Sequence, residues 1–427
     1  MKTIEVSKRV AVLVGTLFLA PALLMAQAGS LDHTFGTGGI VTTSFGGMKT
    51  TLATAAVIQS DGKILVAGAL PSSPGISESG VVRYTTTGSL DSSFGTGGVV
   101  ITSGTQSAFG IALQSDGKIV VAASGTTSTL GIQVIRYNTN GSLDTSFGTG
   151  GIANVRPFNG VFFEQLTGAL LVEPNGKILV AADTPLGGSD LVSLLANGQL
   201  DSSFGTNGAA PLVSLVEAMA LLPSGKILIG TGLPLSVVGG GVTRYTSTGS
   251  LDTSFGFDGQ AAGIGPSAAL ATFISAKFIA AGSVTSALVD PPGNNSTGFE
   301  LIRYNANGTI DTTFGTRGAA VTPFPGNSNA AAFALAIQSN GDIVLAGQAG
   351  DRPTGGPSSF ALARYTANGH LDTTFGVAGL VTTAFGNDTA SVSALAIQSD
   401  GKIVAVGNDA MPNNSTDRFA LARYLSQ

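Results

Sequence analysis

The sequence predicts an all-β fold: a single seven-bladed β-propeller of four-stranded antiparallel blades. Three observations point there. The pattern Gly-x-Leu/Ile-Asp-x-Ser/Thr-Phe-Gly occurs seven times, at Gly29, Gly88, Gly141, Gly198, Gly249, Gly308 and Gly369, with a further Gly three positions on. Each interval of 51 to 61 residues holds four short apolar or β-branched runs separated by turn residues. The last unit stops at Leu421-Ala422-Arg423-Tyr424, where every earlier unit runs into the motif of its successor. Repetition at this period indicates an array of supersecondary units, not one domain with a unique catalytic centre.

The first unit shows how the four strands arise. Gly39 to Phe45 is a β-branched run, and Ala55-Ala56-Val57-Ile58-Gln59 is a second. Ser60-Asp61-Gly62-Lys63 then supplies an Asp-Gly hairpin turn, and Ile64-Leu65-Val66-Ala67-Gly68 returns from it. Ala69 to Ser79 reads as a loop, and Val81-Val82-Arg83-Tyr84 is the fourth strand. The third run is almost wholly apolar, as expected of a strand covered on both faces. Four strands per unit and seven units match a propeller, whose blades typically number about 4–8. The competing architecture is an open β-solenoid, but its repeats are shorter and need caps. Pairing of the first motif with the last strand would close the ring and remove its exposed edge.

Residues 1–28 read as a secretory signal peptide. Lys2, Lys8 and Arg9 precede an apolar run from Val10 to Leu24, and Ala26-Gln27-Ala28 has the small-x-small pattern of a peptidase site. Cleavage is expected after Ala28, with a secreted or periplasmic product. The run is shorter than the ~20 residues of a spanning helix and contains Pro21, so no membrane span is expected after leader cleavage. The propeller is assigned to 29–427, in repeats 29–87, 88–140, 141–197, 198–248, 249–307, 308–368 and 369–427.

A net charge of −5 on 427 residues argues against nucleic acid or anionic lipid as partner. Cysteine is absent, which excludes disulfides and thiolate metal sites. A monomer is expected, held by its core alone, and 43% apolar composition supplies that core.

The repeated polar residues have structural explanations. The motif carboxylates, Asp32, Asp91, Asp144, Asp201, Asp252, Asp311 and Asp372, are placed to accept backbone N–H groups in Asx-turns. A cation-binding ring of the same seven is the alternative, and mutual repulsion weighs against it. Arg83, Arg136, Arg244, Arg303, Arg364 and Arg423 each precede Tyr and stand eight residues before a motif Asp or, for Arg423, at the ring closure; Ser193-Leu194 replaces the pair in the third unit. This spacing suggests an ion pair or Arg-to-carbonyl bonding. The Asp-Gly-Lys turn decays to Ser275-Ala276-Lys277 in the fifth unit. His33 and His370 occupy variable motif positions without carboxylate neighbours of ligand spacing, so no metal site is assigned. No Gly-x-Ser-x-Gly elbow occurs, and no catalytic or cofactor-binding residue is assigned.

The combined pattern Gly-Ser-Leu-Asp-x-Ser-Phe-Gly-x-x-Gly, Gln-Ser-Asp-Gly-Lys-Ile-x-Val-Ala-Gly and Arg-Tyr resembles the bacterial delta-60 repeat, over 29–427. The resemblance implies an exported, propeller-like protein of the envelope or exterior and carries no catalytic residues to transfer. The expected function is therefore a non-enzymatic binding or scaffold module. A hydrolase or lyase with its site in the central channel or on the variable-loop face is the alternative, with Asp258, Asp290, Glu300 and Asp351 as the non-repeat acids of interest. Alternating connections place the Asp-Gly-Lys hairpins and the Leu-Asp motifs on one face. The variable loops, Ala69–Ser79, Pro185–Asp190, Thr285–Gly298, Ala349–Ser359 and Asp409–Asp417, share the other, which is the expected contact surface for a protein or glycan partner.

Overall fold

A computed structural model describes residues 27–46, 51–73, 75–126, 131–155, 168–183, 189–213, 215–231, 241–262, 268–273, 275–285, 297–325, 329–350, 357–386, 388–410 and 417–427. Among them, twenty-eight strands, β1 to β28 in chain order, form seven four-stranded antiparallel sheets, a seven-bladed propeller. The first blade is β2 (Leu52–Ile58), β3 (Ile64–Ser73), β4 (Ile76–Tyr84) and β5 (Val99–Thr102). Five blades follow with the same order: β6–β9 (105–155), β10–β13 (168–212), β14–β17 (216–262), β18–β21 (269–323) and β22–β25 (329–383). The seventh is β26 (Thr389–Ile397), β27 (Ile403–Ala410), β28 (Asp417–Tyr424) and then β1 (Ile40–Thr43) from the other end of the chain. Among the described residues no helix is long and apolar enough to cross a membrane.

Sheets and sequence repeats are out of step by one strand. Each repeat gives its first strand to the preceding blade and builds the next blade from its other three. The seventh blade is completed through β1, which pairs with β28 from Ile40↔Ala422 to Thr43↔Phe419. One exchanged strand thus joins the chain ends with backbone hydrogen bonds and leaves no unit unpaired.

The first strands of the blades, β2, β6, β10, β14, β18, β22 and β26, pack side by side around the axis. The apolar third run of the first repeat is buried throughout from Ile64 to Leu70, between neighbouring blades. Innermost strands carry a β-bulge, seen as register shifts between Ala53 and Ala55, Val216 and Ala218, Ala332 and Ala334, and Val392 and Ala394. The bulge explains a glycine in the neighbouring strand. A Cβ on Gly68 would stand 1.8 Å from the Leu52 carbonyl oxygen, and one on Gly347 would meet Ala331 at the same distance.

Ala69–Ser79 is not a loop. The β3–β4 hairpin runs on through Ala69↔Ser79, Leu70↔Glu78 and Pro71↔Ser77. Leu70 is fully buried against Gly80, where any side chain would collide with it, and this packing holds the extension in register. Most of the other variable connections, including 286–296 of the Thr285–Gly298 segment, lie outside the described residues, as do Asp290 and Asp351.

The hairpin glycines adopt positive φ, for example 83° at Gly62 and 90° at Gly341, whereas the decayed turn holds Ala276 at 60°. An L-residue in this region costs about 1–2 kcal/mol. Ala276→Gly is therefore expected to raise Tm. A lowered Tm on thermal unfolding would show that the side chain contributes more than the strain removes.

Candidate functional site

The residues shared by the repeats assemble between blades. Each motif Asp first caps its own turn. Asp32 Oδ1 accepts the Thr34 backbone N–H at 3.0 Å and its hydroxyl at 2.7 Å. The same pair of bonds recurs from Asp91 to Ser93 through Asp372 to Thr374, which explains the Ser/Thr two positions after every Asp. The other carboxylate oxygen turns inward and meets cations. Asp91 Oδ2 lies 2.8 Å from Arg83 Nε and 3.1 Å from Lys63 Nζ. Equivalent pairs are Arg136 and Lys118 on Asp144, Arg244 and Lys226 on Asp252, Arg303 and Lys277 on Asp311, and Arg423 and Lys402 on Asp32. Since Lys63 belongs to a hairpin and Asp91 to a motif, these contacts place the two sets of turns on one face, as expected.

The guanidinium then reaches across the blade boundary. Arg83 sits over the Phe94 ring, its Cζ 4.6 Å from the centroid, and Nη1 donates to the Thr139 carbonyl of the next repeat at 2.5 Å. Five further copies put Arg136 on Phe147, Arg244 on Phe255, Arg303 on Phe314, Arg364 on Phe375 and Arg423 on Phe35. They donate to Ala196, Ala306, Ala367, Ser426 and Thr86 respectively. Beside each, the Gly of the Phe-Gly pair donates its N–H to the following carbonyl, as Gly36 does to Thr87 and Gly95 to Asn140. Both sequence alternatives for Arg, an ion pair and a carbonyl bond, are realised by one side chain.

Electrostatics follow from the geometry. Burial disfavours the Asp32 anion, but the Thr34 bonds and the Arg423 charge outweigh it and lower its pKa to about 2. Asp201 is lowered to about 2, chiefly by Lys177 and Ser203. The remaining motif carboxylates are likewise held below the ordinary range. A depressed carboxylate pKa means that the unfolded chain binds the proton first. The stabilisation is present above about pH 4 and is lost as pH falls towards the folded value. The ring of carboxylates is occupied by the chain's own cations, which leaves the cation-binding alternative without support.

His33 and His370 are both exposed, and among the described residues no three His, Asp or Glu side chains are grouped to hold a metal. Asp258 is exposed in its turn at φ 48°. Glu300 is different. It sits in β20 (Thr297–Tyr304) between Gly282 and Val321, is 4% exposed, and burial pushes its carboxyl up to about 7. Two features had no place in the sequence reading. Arg418 bridges Asp388, at 2.7 Å, and the fully buried Asp409, at the variable-loop end of the seventh blade. A cavity of about 660 Å³ lies on the motif face between the hairpins of Asp61 and Asp116, lined also by Gln59, Lys63 and Gln114. The Lys-to-Asp bridge was also missed, although its signal was available: Lys277 persists where the rest of its hairpin turn has decayed.

Six segments, 59–94, 114–147, 222–255, 277–314, 338–375 and 398–427, match a family model described as a β-propeller domain of unknown function, DUF5122. Over these segments the chain is similar to DUF5122-type propeller repeats. Each of the first five segments runs from a hairpin turn to the Phe of the next motif, the stretch that supplies one inter-blade clasp. No curated protein matches the chain in sequence. Among solved structures, polysaccharide lyase Uly1 is similar at TM-score 0.51 and 9% identity, over 94% of this chain and 98% of that one. A protein of unknown function from Dyadobacter fermentans is similar at 0.43 and 12%, over 91% and 100%. A glucose dehydrogenase is similar at 0.42 and 11%, over 90% and 99%. At these identities the first likeness concerns the fold alone.

Two units depart from the clasp. In the third, Ser193 stands at the Arg position and touches Asp201 only at 3.4 Å. In the sixth, Asp342 stands where other hairpins have Lys. Ser193→Arg is expected to raise Tm by restoring a guanidinium over Phe204 and beside Asp201. Asp342→Lys is expected to raise it less, since a half-exposed ion pair contributes about 0.2–1 kcal/mol. A fall in Tm for Ser193→Arg would show that the third interface has no room for the clasp.

Proposed function

We propose that the protein is an exported, non-enzymatic β-propeller, a binding or scaffold module of a bacterial cell envelope or exterior. The observation that carries this reading is the use of the repeat-borne charges. The motif Asp, the Arg and the hairpin Lys are spent on joining blades, so the repeated surface is a rigid frame and variation is confined to the connections. A protein or glycan partner is assigned to the variable-loop face, with the Thr285–Gly298 segment as leading contact. The leader, the acidic charge and the delta-60 resemblance support export and a partner other than nucleic acid.

One observation favours a second reading, a hydrolase or lyase. A buried carboxyl raised to about 7 has the proton affinity of a general acid at neutral pH. Glu300, however, owes its shift to burial alone, with no second acid acting on it. The shared fold with a polysaccharide lyase adds a substrate class to test.

The two readings separate experimentally. Purified protein is incubated with acidic and neutral polysaccharides while unsaturated products and new reducing ends are measured, beside Glu300→Gln. The scaffold reading expects no turnover. Turnover lost in Glu300→Gln, with the fold intact, would install the enzymatic reading. The variant has a second expected signature. A raised folded pKa lets the unfolded chain ionise first, so wild-type stability falls as pH rises from about 4.5 to 7. Glu300→Gln should flatten that decline and be the more stable protein at pH 8.

A further inference from the structure

At six boundaries the chain passes without a break from the last strand of one repeat into the next motif. Tyr84-Thr85-Thr86-Thr87-Gly88 is one such passage. Two of its carbonyls receive the preceding unit: Thr86 accepts Arg423 Nη1 at 2.5 Å, and Thr87 accepts the Gly36 N–H at 2.8 Å. Within it, Gly88 N–H donates to Thr85 and Thr85 N–H to Ser89, at 3.0 and 2.8 Å.

The seventh boundary is assembled from both ends of the chain. Leu425 takes the Thr85 position, with Gly29 N–H donating to its carbonyl and its own N–H donating to Ser30, at 2.8 and 2.9 Å. Ser426 takes the Thr86 position and accepts Arg364 Nη1 at 2.6 Å. The Thr87 position is not filled by Gln427. It is filled by Ala28, whose carbonyl accepts the Gly376 N–H at 2.7 Å. Ala28 is 8% exposed and belongs to the same apolar cluster as Phe375 and Tyr424. Gln27 extends the junction: its carbonyl accepts Ser30 N–H at 2.9 Å, and its side-chain Nε2 donates to the Gly376 carbonyl at 2.6 Å.

We propose that Gln27 and Ala28 remain in the mature protein as the residues that close the ring, and that the leader is removed on the N-terminal side of Gln27. This rests on the export reading above. Cleavage after Ala28 would take away the seventh copy of a bond that the other six boundaries make. It would leave the N–H of the half-buried Gly376 without its acceptor and remove one of the bonds that tie the last blade boundary to the first motif. Cleavage after Ala26 keeps a small residue on the leaving side. An export-pathway peptidase would hydrolyse that peptide bond with one water, leaving a carboxylate on Ala26 and an ammonium on Gln27.

The test is the N-terminus of the exported protein. Residues 1–427 are produced in a bacterial secretory host, the product is recovered outside the cytoplasm, and its N-terminal peptide is identified by mass spectrometry. The expected terminus is Gln27, either free or cyclised with loss of ammonia. A terminus at Gly29 would overturn the inference and leave the export reading standing. An intact Met1 would overturn both. Thermal unfolding gives an independent arm: chains released from a tag to begin at Gln27 or at Gly29 are compared, and the second is expected to melt lower. Equal Tm values would show that Gln27 and Ala28 do not hold the ring.

Discussion

The structure depends on one contact, the arginine that leaves its own blade. A blade sheet can satisfy its internal hydrogen bonds alone, but it cannot bury its two faces alone. Neighbouring blades are therefore held by apolar packing, which is non-directional, and need something directional to set their spacing. The Arg side chain provides it. Its Nε is fixed by a capped Asp, its Cζ is seated over a Phe ring, and its Nη1 then points at a carbonyl of the next repeat. Lys from the hairpin completes the neutralisation of the Asp. Desolvation offsets most of the attraction in a buried pair of this kind, yet breaking it by removing one partner typically costs about 3–5 kcal/mol. The clasp thus acts as a determinant of geometry more than as a reservoir of stability.

This arrangement explains why the repeat of the sequence is offset from the repeat of the structure. Hairpin, Arg-Tyr strand and Leu-Asp motif are consecutive in the chain because together they make one clasp, although they straddle two positions of the ring. The family match covers the same stretch. Tyrosines support it from the other side of the strand: Tyr84 donates to Thr43 across the boundary at 2.8 Å, and Tyr365 and Tyr424 do the same with Thr322 and Thr383.

Much of this was legible in the residues. The number of blades, the four strands, the shared face of the two turn types, the Asx cap and the two alternative partners of Arg all follow from spacing and turn chemistry. What was not legible required distance in three dimensions. The persistence of Lys277 marks the hairpin Lys as needed, but its partner is seen only in three dimensions, as in the Lys63–Asp91 pair, because their separation in sequence carries no period of its own. Gly68 ends an apolar run in the sequence with no local reason to be glycine, and its cause is a bulge in the facing strand. Ala69–Ser79 was rich in loop-forming residues, but the fit of Leu70 over Gly80 extends the hairpin. The raised carboxyl of Glu300 depends on burial, which a single Glu in an apolar strand does not announce. The role of Ala28 was hidden because its partner, Gly376, lies at the far end of the chain.

If the arginine sets blade-to-blade geometry, its energetic partner must include the ring it covers. A double-mutant cycle on Arg303 and Phe314 tests this most directly, by denaturant unfolding of Arg303→Met, Phe314→Leu and the pair. The account predicts that each single change lowers stability and that the double mutant loses less than the sum, with a coupling of about 0.5–2 kcal/mol. Strictly additive losses, or an Arg303→Met protein as stable as wild type, would contradict it.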